Sequence, residues 1–172
     1  MSWLTTNNQG YLKVVDGTPV GVLHRASVYK SLNQSIPNTT LTLVSFNLES
    51  YDVGPMHDNA VNNSRLVAPV DGNYTIIGYA NFASSGPPNS NERLFQIRKN
   101  AAGSGVGGVA VLAPTQPATT VPTTTGVAGS VDLDLLAGDY VEMFVYQAQG
   151  AAVNLNGGSP EVTVFSMRRN SA

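Results

Sequence analysis

The residues able to do chemistry are few and scattered. Met56-His57-Asp58-Asn59 holds a histidine beside a carboxylate, while the second histidine, His24, is far away in sequence. Two such histidines have no metal-ligand spacing. Nucleophilic catalysis needs a nucleophile, a base and an orienting group. Serines and aspartates are available to His57, but no glycine-framed nucleophile turn occurs, so His57 reads as a loop brace or a subunit contact. Glu49 and Asp52 flank Tyr51 and invite comparison with a glycosidase carboxylate pair. In a chain with 11 acidic residues that pair has little weight. Asp132 and Asp134 alternate along a strand pattern, whereas calcium sites use a glycine-bearing loop, so both are expected in solvent. Gly103-Ser104-Gly105-Val106-Gly107-Gly108 lacks the Lys-Ser/Thr ending and following helix of a phosphate loop. No catalytic, cofactor-binding or metal residue is assigned, and the expectation is a protein that is not an enzyme and takes no cofactor.

Composition narrows the partners. There is no cysteine, which excludes disulfides and thiolate metal sites and leaves the redox compartment open. The net charge of −2 argues against nucleic acid as a main partner. Only 12% of the residues are charged, about half the usual share, so Thr, Asn, Ser and Gly must fill the surface. The N-terminal MSWLTTNNQGYLK has neither the basic region nor the apolar run of a signal peptide. No segment approaches a spanning length of about 18 apolar residues, so membrane insertion is not expected. Synthesis in the cytosol is expected, with any export by a route other than secretion. At 172 residues the chain is expected to form one domain with a short arm. A domain of that size buries about 70% of its unfolded surface and needs no staples.

The elements read as strand and turn throughout. Tyr74 to Phe82 is the most informative run: Tyr74, Ile76, Gly78, Ala80 and Phe82 point one way, and Thr75, Ile77, Tyr79 and Asn81 the other. A strand with one wet face carries a polar residue at every second position. This one has polar residues on its second face only near the ends, so both faces expect cover. Glu161 to Met167 shares the property, with Val162 and Val164 opposite Phe165 and Met167, and the two strands are expected in the same inner sheet. A second sheet can cover one face and another copy of the chain the other. Further strands are expected over Ala26–Leu32, Thr39–Phe46, Ser64–Val70, Glu92–Lys99, Val109–Leu112, Val127–Leu136 and Tyr140–Gln147. Pro37 confines its segment to a sheet edge. Loops are expected over Leu48–Asn63, 84–91 and 148–160, and the low-complexity stretch 113–126 reads as a passive surface loop or a partner contact. Eight to ten strands with Gly- and Pro-rich turns and no helix make an all-β sandwich, jelly roll or barrel. Residues 1–24 stand apart as an arm with apolar Leu4, Tyr11, Leu12, Val14 and Val15 and a hairpin signal at Asp16-Gly17. The arm folds back on the domain (25–172) or anchors it in another protein.

The order of these features resembles the tumour-necrosis-factor superfamily, in its complement globular-head branch. Phe46, Tyr51-Asp52, Ser64-Arg65-Leu66, Pro69, Gly72-Asn73-Tyr74, Gly138-Asp139-Tyr140-Val141 and Phe165 carry the likeness, over about residues 26–170. Within that family, Met56–Asn59 and Ser64–Gly72 look most like small virion proteins of tailed bacteriophages. The resemblance implies a two-sheet, TNF-like jelly roll and a homotrimer packed through the inner sheet. Tyr74, Ile77, Tyr79, Phe165 and Met167 are the expected trimer interface. The closing strand reads Val164-Phe165-Ser166-Met167 rather than Phe-Ser-Gly-Phe, and the cysteines common in animal members are missing, so no receptor or calcium residue is carried over. The expected role is a virion-surface structural protein, a capsid decoration or short spike docked on a major capsid or tail protein through the arm. The alternative is a receptor-binding module at a tail or fibre tip, with loops 84–91, 113–126 and 148–160 gripping a host surface glycan or protein.

Overall fold

The computed structural model describes residues 23–84, 91–101, 107–118 and 123–170, and the backbone of 4–6 and 12–14. Among the described residues fifteen strands run in the order β1 (Leu4–Thr6), β2 (Leu12–Val14), β3 (Arg25–Tyr29), β4 (Gln34–Ile36), β5 (Thr42–Leu43), β6 (Leu48–Val53), β7 (Arg65–Val67), β8 (Gly72–Phe82), β9 (Glu92–Lys99), β10 (Val109–Leu112), β11 (Thr115–Pro117), β12 (Thr125–Leu135), β13 (Tyr140–Gln147), β14 (Val153–Leu155) and β15 (Val164–Arg169). No helix occurs among the described residues. One sheet has the order β4-β14-β8-β15-β3-β6, with β12 on the other side of β8. The second has the order β10-β9-β13-β5, with β11 on β9 and β7 on β13. The pairings are antiparallel, and the inner faces of the two sheets enclose the core, as a two-sheet jelly-roll sandwich requires.

The two strands expected to be apolar on both faces do lie side by side, but β15 begins only at Val164 and its outward face carries Ser166 and the exposed Arg168. β8 pairs with β15 through Tyr79↔Val164, Ile77↔Ser166 and Thr75↔Arg168. Alternation sends Tyr74, Ile76, Ala80 and Phe82 inward with Phe165 and Met167, where all six are buried. Phe46 stacks on Phe165 with ring centroids 5.7 Å apart, within the range in which aromatic pairs attract beyond their area. Glycines make room for another ring. Gly78 and Gly129 face each other across β8 and β12, and Phe95 from the opposite sheet fills the hollow. A methyl at Gly78 would stand 2.8 Å from the Phe95 ring.

Several boundaries differ from the sequence expectation. Leu48–Val53, expected to be loop, is the edge strand β6, paired to β3 with a bulge between Ser27 and Val28. Its carboxylates hide the pattern because they turn aside to hold the following loop. Val153–Leu155, also expected to be loop, is a short strand between β4 and β8. TTLTLVSF yields only the two-residue β5, although Val44 and Phe46 carry the chain on by bonding Met143 and Asn63 carbonyls at 2.9 and 2.8 Å. Thr115–Pro117, inside the low-complexity stretch, pairs with β9. The closing strand starts at Val164, after a turn. Pro37 ends the edge strand β4 as expected. In the arm, Leu4–Thr6 pairs with Leu12–Val14 as a sheet of its own. Tyr11, Val15 and the Asp16-Gly17 hairpin signal lie outside the described residues.

The turn before β13 is tied by a carboxylate. Gly138 takes φ +89, a conformation glycine adopts at no steric cost. Asp139 accepts from Lys99 Nζ at 2.7 Å, from Asn100 Nδ2 at 2.8 Å and from the Leu136 N–H at 2.9 Å. The lysine first, then the asparagine and the backbone, hold the Asp139 carboxyl down at about 2.

Two outcomes follow for stability. Gly78→Ala should destabilise the domain by about 1–3 kcal/mol, because the Phe95 ring must move or strain, and denaturant unfolding reads the change directly. The folded-state value of Asp139 lies below its unfolded one, so its contribution is complete above about pH 4 and fades as the pH falls toward about 2. Acid unfolding curves of Asp139→Asn should lack that part of the loss.

Candidate self-association surface

The outer face of the seven-stranded sheet is built in rows that the strand register sets. One row runs Ala128–Tyr79–Val164–Tyr29–Leu48 across β12, β8, β15, β3 and β6. The next runs Ser130–Ile77–Ser166–Ser27–Tyr51, and the third Asp132–Thr75–Arg168–Arg25–Val53. The first two rows form a patch of apolar and aromatic side chains relieved only by three serines. Leu48, Tyr51 and Ile77 are 37%, 44% and 43% exposed; the other face of β8 fills the core, while the edge strand β6 contributes no residue to it. Tyr79 lies flat across β12, because a Cβ at Gly126 would come within 2.9 Å of three atoms of its ring and hydroxyl. Single exposed apolar residues are unremarkable, whereas a contiguous set on one face marks a contact surface.

The expected interface residues divide in two. Ile77 and Tyr79 stand on this outer face. Tyr74, Phe165 and Met167 do not: they are buried inside one chain, between its own sheets, and that expectation is corrected. The physical reason is alternation. On β8, Tyr74 lies an odd number of residues from Ile77 and so takes the opposite face. On β15 the outward residues are Val164, Ser166 and Arg168. Sequence reasoning missed Leu48, Tyr51 and Tyr29 as members of the patch. The signal was the spacing of Leu48 and Tyr51, obscured by the bulge.

The polar candidates are spent on structure. Both oxygens of Asp52 accept from the Met56 N–H, at 3.0 and 2.9 Å, and one also accepts from the His57 N–H at 3.1 Å. Glu49 lies 3.0 Å from His57 Nδ1 and accepts from Asn59 Nδ2 at 3.0 Å. The His57 side chain is fully buried, and its Nε2 is 3.3 Å from the Asn63 carbonyl. Its imidazole therefore braces the loop and presents no nitrogen to a ligand. The adjacent groove, about 570 Å³, is lined by Pro55, Met56, Asp58, Arg65 and Tyr140 among others. Arg65 sits 4.1 Å over the Tyr140 ring and donates through Nε to buried Glu142 at 3.0 Å, while Ser64 donates to the same oxygen at 2.8 Å. The Asp58 carboxylate accepts from the Ala60 and Val61 N–H groups, which hold it below the usual carboxylate range. Asp132 and Asp134 are exposed, as expected, taking bonds from Thr75 (2.6 Å) and Asn73 (2.9 Å). Lys30 is a buried cation: Nζ donates to Gln34 at 2.8 Å and to the Ser45 carbonyl at 2.7 Å, and burial lowers it to about 8.

No family model matches the chain, and no curated protein matches it by sequence. Solved structures do match it by shape. The globular domain of zebrafish complement 1qA superposes with TM-score 0.54 at 16% identity, over 84% of this chain and 94% of that one. Eiger TNF from S. frugiperda gives 0.64 at 13% identity, over 88% and 96%. Murine APRIL gives 0.63 at 10% identity, over 86% and 98%. The fold is that of the TNF and complement globular domains. At these identities the likeness concerns the path of the chain and not its partners.

Proposed function

We propose that this chain is a non-enzymatic building block that joins two further copies of itself through the outer face of the seven-stranded sheet. The observation that carries this reading is the patch of Leu48, Tyr51, Ile77, Tyr79, Tyr29 and Val164 on a face that β12 to β6 leave bare. Burying it against a second copy removes apolar surface from water at about 25 cal/mol per Å². A ring of three is the number that the resemblance to the TNF superfamily implies. We further propose that the trimer is a surface structural protein of a bacteriophage particle, a capsid decoration or short spike anchored by residues 1–24. The likeness of Met56–Asn59 and Ser64–Gly72 to phage virion proteins supports that part. A decoration protein of this kind stabilises a shell by binding the assembled state in preference to the free subunits.

Sedimentation of the purified chain tests the first part. The wild type should sediment as a trimer, and Ile77→Lys, a change at an already exposed position, should give folded single chains. Wild-type protein that stays as single chains at all concentrations removes the reading. For the second part, a chain lacking residues 1–24 should still assemble but no longer join particles. Copy number on purified particles separates the roles: many copies on the head mark decoration, a few at the tail mark receptor binding.

A further inference from the structure

The third row of the same outer face is charged, and its charges are sorted. Asp132 stands on β12 at one side of the sheet, with Asp134 one row further along the same strand beside Asn73, both exposed. Arg168 and Arg25 stand on β15 and β3 toward the other side, also exposed and directly opposite one another. Like charges facing each other across an antiparallel pair are destabilising. Neither arginine forms an ion pair among the described residues, nor does either aspartate. Arg25 lies 5.2 Å from the centroid of the Tyr51 ring; the two aspartate carboxylates take the neutral donors Thr75 and Asn73, and the Lys99 ammonium, paired with Asp139, reaches the Asp134 carbonyl at 3.4 Å. Thr75 and Asn73 on β8, with Asn170 beyond the end of β15, are the other polar groups packed between the two clusters. Among the described residues a single chain thus carries two clusters of opposite sign that are not ion-paired, with Asp132 level with both arginines and Asp134 one row beyond, on a face with an apolar centre.

Resting on the self-association reading above, we propose that these clusters pair between copies. Asp132 and Asp134 of one chain meet Arg25 and Arg168 of the next, and the symmetry axis runs along the strands. The geometry of rotation supplies the argument. Turning a chain about an axis parallel to its strands keeps every row at its own height, so the acidic side of one copy arrives beside the basic side of its neighbour. Turning it about an axis across the strands brings the charged row against the Tyr79–Val164–Tyr29 end and leaves both clusters unpaired. The apolar rows supply affinity and the charged row selects the arrangement, because complementary charges fix register and juxtaposed like charges reject the wrong one.

The test uses the full chain in sedimentation velocity, with Arg25→Glu/Arg168→Glu, Asp132→Lys/Asp134→Lys and the four changes combined. Each double reversal should raise the dissociation constant at least about tenfold. The combined variant should return to within about threefold of the wild type, since it restores opposite signs. Wild-type association should also weaken between about 0.05 M and about 0.5 M salt, where the Debye length shortens severalfold. Folded reversals that assemble like the wild type overturn the pairing and leave the self-association reading standing. A wild type that never assembles removes both. Loss of inorganic phosphate binding in Arg25→Glu/Arg168→Glu with assembly unchanged gives the arginines to a small anion and overturns the proposal. Should a reversal fail to fold, the wild-type salt dependence decides alone, and association that salt leaves unchanged or tightens overturns it.

Discussion

A β-strand has two faces, and the structure turns on the fact that β8 is apolar in the middle of both. Its inward face, from Tyr74 to Phe82, is closed by the second sheet, with Phe95 seated against Gly78. Its outward face, at Ile77 and Tyr79, lies beside Val164 and Tyr29 on β15 and β3. Two layers are enough to close one face of a sheet and leave the other to solvent or to a further copy. The rest of the molecule conforms to that arrangement. Strands β12 and β15 flank β8 along most of its length, and the polar network stays at the sheet ends and in the second layer.

Polar groups within the sandwich follow a different logic from the outer face. Glu142 is buried with Ser64 and Arg65 as donors, and Lys30 is buried with two oxygen acceptors. Charges taken from water survive only with such partners. The Glu49–His57–Asp52 cluster applies the same rule to a loop, with the carboxylates capping N–H groups that the turn leaves over. Each of these side chains could do chemistry in principle, and each is committed to holding the chain in place. Against that background the exposed charges at Arg25, Arg168, Asp132 and Asp134 differ in kind, because they are not ion-paired among the described residues.

Much of this was legible from residue order. The alternation in Glu92–Lys99, Val127–Leu136 and Tyr140–Gln147 located three strands within two residues of where they stand, since each has one face in the core. The short strands were harder. Leu48–Val53 pairs on one edge with a bulge in the ladder, so its side chains lose strict alternation and its carboxylates resemble loop residues. Val153–Leu155 is too short for a period to register.

That the middle of β8 is apolar on both faces, that the fold is all-β, and that the central pair lies in one sheet were written in the order of side chains, because a period of two is a local property of the backbone; the outward face of β15, with Ser166 and Arg168, is polar against expectation. Which of the two apolar faces turned inward was not written there. Tyr74, Phe165 and Met167 satisfied the same local pattern as Ile77 and Tyr79, and only the stacking of the second sheet sorted them into core and surface. The lining of the outer face by Leu48, Tyr51 and Tyr29, and the sorting of its charges, arise from register between segments far apart in the chain. Register depends on hydrogen bonds between strands, and no stretch of sequence read alone contains them.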